Sequence, residues 1–325
     1  MASASQVRKQ IPKKIADLIL EARAEYSPED ELEKISKLNI GYVTNEDKEY
    51  PKLLKEIPDH PVILYIRGDI KALSLTSLAF VGSRKYSDYG RRSCKALINQ
   101  MRGADLCIVS GLALGIDAIA HSTALENDLR TVGVLGCGLD RIYPVSNYQL
   151  GEKIIQSGGA IVSEYSPGTP PMKHNFPARN RIIAGLSLGT VVVEAAEKSG
   201  ALITALEALD YNREVFAVPG NIENETSVGC NKLIQQGAKL TTEVTDIFQE
   251  LNFELENQKK KSENIMPENE VEVEVIKIIS GQKTHVDTIV KKSKYNIVEI
   301  SGALTTLEMK GNLENVGGGF WIKTK

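Results

Sequence analysis

From Leu78 onward the chain repeats one pattern: a short run that is apolar almost throughout, then a longer segment with apolar residues at helical spacing. A strand with one wet face alternates apolar and polar residues. Runs such as Leu78-Ala-Phe-Val-Gly82 and Thr190-Val-Val-Val-Glu194 do not alternate, so both faces of the strand must be covered. Further strands are predicted at Asp105–Ser110, Thr131–Gly136, Ala160–Ser163 and Glu214–Pro219. Helices are predicted over Tyr89–Arg102, Ile116–Asn127, Asn147–Ser157, Ala201–Asn212 and Val228–Gln236. Helical connections between strands make neighbours parallel and place helices on the sheet. The expectation is an α/β fold, an extended Rossmann-like, doubly wound, mostly parallel sheet over residues 46–253.

The flanks differ from this middle. Residues 1–45 form a short helical extension, with Ile11, Ile15, Leu18 and Ile19 at helical spacing. Residues 254–270 hold a Lys-rich polar stretch and read as a linker. Residues 271–325 recover pattern: three short helices, then a Gly-rich turn into Phe320-Trp-Ile322, the outline of a winged-helix domain. With 325 residues the chain has room for two domains. A net charge of -3 does not point to a nucleic-acid binder, although clustered cations can still make a basic groove. The four cysteines form no CxxC pair and read as small buried side chains. There is no signal-peptide core and no apolar run near the ~18 residues a membrane span needs. A cytoplasmic protein without membrane contact is expected.

In an open parallel sheet, ligands collect at the carboxyl ends of the strands. The residues that follow the strands are therefore the candidates. Gly82-Ser83-Arg84 combines backbone N–H groups, a hydroxyl and a guanidinium, all phosphate-binding parts; the alternative is a tight turn with a surface arginine. Ser110-Gly111-Leu-Ala-Leu-Gly-Ile-Asp117 leads a glycine-rich loop into a helix, where an anion can approach the backbone or Asp117 can simply complement the helix dipole. Asn175-Phe-Pro-Ala-Arg-Asn-Arg181 places Phe176 in a polar loop beside Lys173, Arg179 and Arg181. Cations that track a phosphate backbone and an aromatic face for a base are the parts of a single-strand binder. The alternative is a structural loop in which Phe176 plugs the core and the arginines pair with Glu164 or Glu194.

Several chemistries find no motif. No GxGxxG and no GxxxxGK[ST] is present, so neither a dinucleotide nor an ordinary ATP loop is indicated. Gly185-Leu-Ser187-Leu-Gly189 has the letters of a hydrolase elbow, but it precedes a strand where the elbow must follow one. The histidines are scattered, without a metal-ligand cluster, and His121 reads as a packing residue near the rim. No catalytic residue, cofactor or metal is expected.

The chain resembles the DNA processing protein A family, also called DprA or Smf. The resemblance rests on Tyr50-Pro51, Val81-Gly-Ser-Arg84, Ser110-Gly-Leu-Ala-x-Gly-Ile-Asp117 and Gly138-Leu-Asp-x-Ile-Tyr-Pro144. It continues through Phe176-Pro-x-Arg-Asn-Arg181, Val193-Glu-Ala195 with Ser199-Gly200, Val215-Phe-Ala-Val-Pro-Gly220 and Asn231-x-Leu-Ile234. It spans roughly residues 40–250, and the tail resembles the winged helix that many members carry. Residues 1–45 lack a clear glycine hairpin, so the helix-hairpin-helix or SAM-like module of many members is reduced or absent. The resemblance implies a homodimer that binds single-stranded DNA, protects incoming strands and loads RecA recombinase during natural transformation. The DNA-binding residues it implies are Gly82, Ser83, Arg84, Ser110, Gly111, Lys173, Phe176, Arg179, Asn180 and Arg181. A rival is an enzyme, a nucleotide phosphoribohydrolase of the lysine-decarboxylase-like fold with Glu194 as acid or base. The Pro-Gly-Gly-x-Gly-Thr loop of that family is missing here. A major-groove reader is disfavoured, because the third helix of the tail carries Glu299 and Glu308 against one basic residue, Lys310.

Overall fold

The computed structural model describes residues 12–25, 27–252, 269–279, 283–309 and 313–323. They fall into two compact units, Met1–Glu254 and Leu255–Lys325.

The first unit is built on one nine-stranded sheet in the order β1-β2-β6-β5-β4-β3-β7-β8-β9. The strands are β1 (Gly41–Thr44), β2 (Ile63–Gly68), β3 (Ser77–Gly82), β4 (Cys107–Ser110), β5 (Arg130–Val134), β6 (Ala160–Ser163), β7 (Gly189–Glu194), β8 (Glu214–Ala217) and β9 (Lys239–Leu240). From β6 through β9 every pairing is parallel, while β1 and β2 form an antiparallel hairpin added to the edge at β6. The non-alternating runs are buried as their composition requires: every residue of β4, β6 and β7 is buried. Phe80 and Phe216 fill the interior between sheet and helices, each side chain contributing ~1.5–3 kcal/mol by leaving water.

Helices α1 (Lys13–Glu25) and α2 (Pro28–Lys37) precede the sheet. Helix α3 (Lys52–Glu56) follows β1, and α4 (Asp88–Gln100), α5 (Ile116–Glu126) and α6 (Tyr148–Gln156) connect β3 through β6. The chain then crosses back through a long loop and α7 (Asn175–Gly185) to lay β7 on the other side of β3. Helices α8 (Gly200–Asp210), α9 (Val228–Gln235) and α10 (Val244–Glu250) complete the unit. The strand order therefore reverses between β3 and β7, and the crevice at their carboxyl ends is the place where such sheets bind ligands.

Sequence patterning did not show β9 or α10, which are too short to display a period. It placed β1 in the extension before the sheet; β1 is the sheet's edge strand. Phe176, expected in a polar loop, lies in the first turn of α7, with Pro177 where a helix tolerates a missing N–H.

The second unit contains α11 (Glu270–Ile278), β10 (Thr284–His285), α12 (Val286–Lys292), α13 (Ile297–Met309), β11 (Leu313–Asn315) and β12 (Phe320–Lys323). Its three strands pair antiparallel in the order β10-β12-β11. Val275, Ile289, Ile300, Leu304, Leu307 and Trp321 form its core. Three helices and a β-wing make a winged-helix unit. Most of the expected linker, together with Lys310, lies outside the described residues.

Candidate functional site

The turn after β3 is anchored from below. Ser83 N–H donates to the carbonyl of Glu194, the last residue of β7, at 2.7 Å. The Ser83 hydroxyl donates to Lys85 O and accepts from Lys85 N–H, closing the turn on itself. The Ser83 N–H is therefore not open to a ligand, while Arg84 and the Lys85 and Tyr86 that follow it are exposed. Among the described residues Arg84 has no ion-pair partner; its guanidinium lies 5.8 Å from the centroid of the Phe176 ring. Glu194 is buried, and its carboxylate accepts Ser87 N–H at 2.8 Å just ahead of α4. A carboxylate so placed holds the wall of the crevice.

The glycine-rich loop after β4 is tied down residue by residue. The Ser110 hydroxyl donates to Phe80 O at 2.6 Å. Gly111 N–H and Ala113 N–H both donate to Asp117 Oδ2, at 3.1 and 3.3 Å. On the other side Gly111 O accepts from Arg179 Nη1 at 2.9 Å, and the same nitrogen also donates to Val134 O. Arg179 is only 4% exposed. Burial lowers its pKa to about 10, against the attraction of Asp117, so it stays charged at neutral pH. Burial likewise raises the Asp117 pKa, with Arg179 and the two N–H groups acting in the opposite direction. The loop is thus an internal strut in which cation, carboxylate and backbone satisfy one another. Its last residue, Gly115, has φ +88°, and a Cβ there would lie 2.3 Å from Ser83 O and 2.7 Å from Arg84 Cα. Only glycine lets this loop touch the Arg84 turn.

Helix α7 delivers its side chains in several directions. The Asn175 side chain donates to Gly136 O, locking the helix start to the β5 rim. Arg179 points inward. Asn180 accepts from Arg179 Nε and donates to Gly200 O, joining α7 to α8. Arg181 pairs with Glu164 and, at 3.4 Å, with Asp59, and its side chain is 16% exposed. Phe176 alone among these faces the mouth. It is half-buried, packed against Tyr143 at 5.7 Å between ring centroids and flanked by Arg84 and Arg179. Lys173 is exposed three residues earlier and has no ion pair among the described residues.

The ten predicted residues therefore separate by role. Arg84 and Phe176 lie together at the rim, and Lys173 is exposed three residues before Phe176 in the chain. Gly82, Ser83, Ser110, Gly111, Arg179 and Asn180 frame the mouth, and Arg181 is held by carboxylates to the side. Sequence reasoning passed over Tyr143, although it stands in the quoted Gly138–Pro144 motif. An aromatic residue in a loop after a strand end was the available signal. His121 is fully buried: Nδ1 faces the Thr131 hydroxyl at 2.6 Å, and burial pushes its pKa down to about 3. All four cysteines are buried. Among the described residues no group of three or more His, Cys, Asp or Glu side chains is placed to hold a metal ion, and no helix is long and apolar enough to cross a membrane.

The doubly wound α/β sheet, with Arg84 and Phe176 at its carboxyl rim, defines a Rossmann-type protein. More particularly, this chain belongs to the DNA recombination-mediator protein A family, whose domain matches residues 41–252, and residues 259–319 match the DprA winged helix domain. Protein Smf of Escherichia coli is 39% identical over 277 residues, covering 83% of this chain and 74% of that protein. The DNA processing protein DprA of Streptococcus pneumoniae is 47% identical over 204 residues, covering 63% and 72%. The crystal structure of DprA from Streptococcus pneumoniae superposes with a TM-score of 0.70 at 38% identity, covering 77% of this chain and 87% of that one. DprA from Helicobacter pylori, described for its single-stranded DNA binding mode, gives 0.57 at 32% identity, covering 68% and 96%.

Proposed function

We propose that the chain binds single-stranded DNA at the Arg84–Phe176 mouth, protects incoming strands and loads RecA recombinase onto them in natural transformation. It acts as a homodimer and makes or breaks no covalent bond. The observation that carries the binding reading is the half-buried Phe176 ring with Arg84 against it, Lys173 being exposed three residues earlier in the chain and neither cation in an ion pair among the described residues. Arg84 and Lys173 would neutralise successive phosphates while a base stacks on Phe176. Such stacking tolerates any sequence and needs an unpaired base, which favours a single strand over a duplex. The single-stranded DNA binding of the Helicobacter pylori relative supports the same reading. RecA loading and dimerisation follow from the family resemblance.

The test is fluorescence anisotropy with single- and double-stranded oligonucleotides across a salt series. The wild type prefers the single strand. Arg84→Ala weakens binding and lowers the slope of log K against log salt by about 0.7, the contribution of one phosphate contact on single strands. Unchanged affinity and slope in Arg84→Ala would remove the mouth as the binding site.

A further inference from the structure

We infer that Tyr143 is a second base-stacking platform, carrying the strand from Phe176 onto a ledge formed by Val145 and Tyr148. This rests on the single-strand reading above. Tyr143 sits between two anchors. Ile142 is buried on one side, and on the other the buried Asn147 side chain donates to Leu112 O at 2.9 Å and Ala113 O at 3.1 Å. Between these anchors Tyr143 is 39% exposed and Val145 80%, and Tyr148, the residue after Asn147, is 51% exposed. Among the described residues the Tyr143 hydroxyl has no protein hydrogen-bond partner. What the ring does contact is Phe176, at a 35° tilt.

Two touching rings leave no room for a base between them, so each offers its outer face to a separate base. The Asn147 anchor grips the loop that ends at Gly115, and Gly115 abuts the Arg84 turn. Cation, first ring and second ring therefore stand on one frame. A duplex cannot use such a ledge, because its bases are already stacked.

The experiment uses the full chain with a fluorescent oligothymidine and an abasic strand of equal length. Tyr143→Leu keeps an apolar side chain against Phe176 but removes the π-face. It weakens oligothymidine binding by roughly 5- to 150-fold, leaves abasic-strand binding unchanged, and preserves the salt slope. Tyr143→Phe binds like the wild type, which separates stacking from any role of the hydroxyl and guards against misfolding. Equal weakening on both strands, or none on oligothymidine, overturns the inference. Loss in Arg84→Ala without loss in Tyr143→Leu overturns the ledge alone. No loss in Arg84→Ala overturns the mouth beneath it as well.

Discussion

Arg84 and Arg179 both flank Phe176, yet the structure gives them opposite jobs, and Arg179→Ala exposes the difference. Arg179 donates to Gly111 O and Val134 O and faces Asp117 from a fully buried position. Its removal strands a buried carboxylate and leaves two carbonyls without their donor. Breaking one side of a buried charge pair costs about 3–5 kcal/mol. In a unit of this size each kcal/mol lowers Tm by roughly 2–4 °C, so a fall of about 6–20 °C is expected in thermal unfolding followed by circular dichroism. Arg179→Lys recovers little, because one ammonium cannot reproduce the planar fork. Asp117→Asn added to Arg179→Ala costs less than Asp117→Asn alone, the signature of a coupled pair in a double-mutant cycle. At low temperature the folded fraction of Arg179→Ala keeps the wild-type salt slope for single-stranded DNA. A variant with wild-type Tm and a slope lowered by about 0.7 would refute this account, since Arg179 would then be touching phosphate.

Two further outcomes follow from the frame. His121 has a folded pKa near 3, and the unfolded chain regains about 6.5. The unfolded state then binds a proton that the folded state refuses, so stability falls as pH drops below about 6.5, by about 1.4 kcal/mol per unit. His121→Gln lacks this contribution, so the gap between the two proteins changes by about 2 kcal/mol between pH 6.5 and 5 in urea unfolding; a pH-independent gap would contradict it. Gly115→Ala forces strain of ~1–3 kcal/mol and pushes the Arg84 turn away. It should lower both Tm and single-strand affinity, and wild-type values of both would show that the loop is not braced on Arg84.

The parallel strands were legible because a strand buried on both faces has no polar residues to alternate. The rim was legible for the same topological reason: residues after successive strands must meet at one end. What the chain's letters did not show was helical phase. Asn175-Phe-Pro-Ala-Arg-Asn-Arg181 reads as a loop because a proline and four polar residues mask an eleven-residue helix. Once it is a helix, Phe176, Arg179 and Arg181 point to mouth, strut and flank. Their separate roles depend on rotation about the α7 axis and on partners such as Gly111 and Glu164, far away in sequence. Tyr143 stood in a legible motif, but its partner Phe176, far away in sequence, is seen only in the fold.

Gly111 is held at both of its backbone groups, by Asp117 on the N–H and by Arg179 on the carbonyl. A backbone gripped in this way cannot drift in evolution without dismantling the interior. The Glu164–His174 side of the rim is different. Gly168 turns there with φ +95° and open space where a side chain would stand. The turn is held to Asp140 through the Gly168 N–H but faces open space, so a longer loop there meets no packed neighbour. Variation in how related proteins hold their ligand should therefore accumulate in this loop, while the glycine loop opposite it stays the same length.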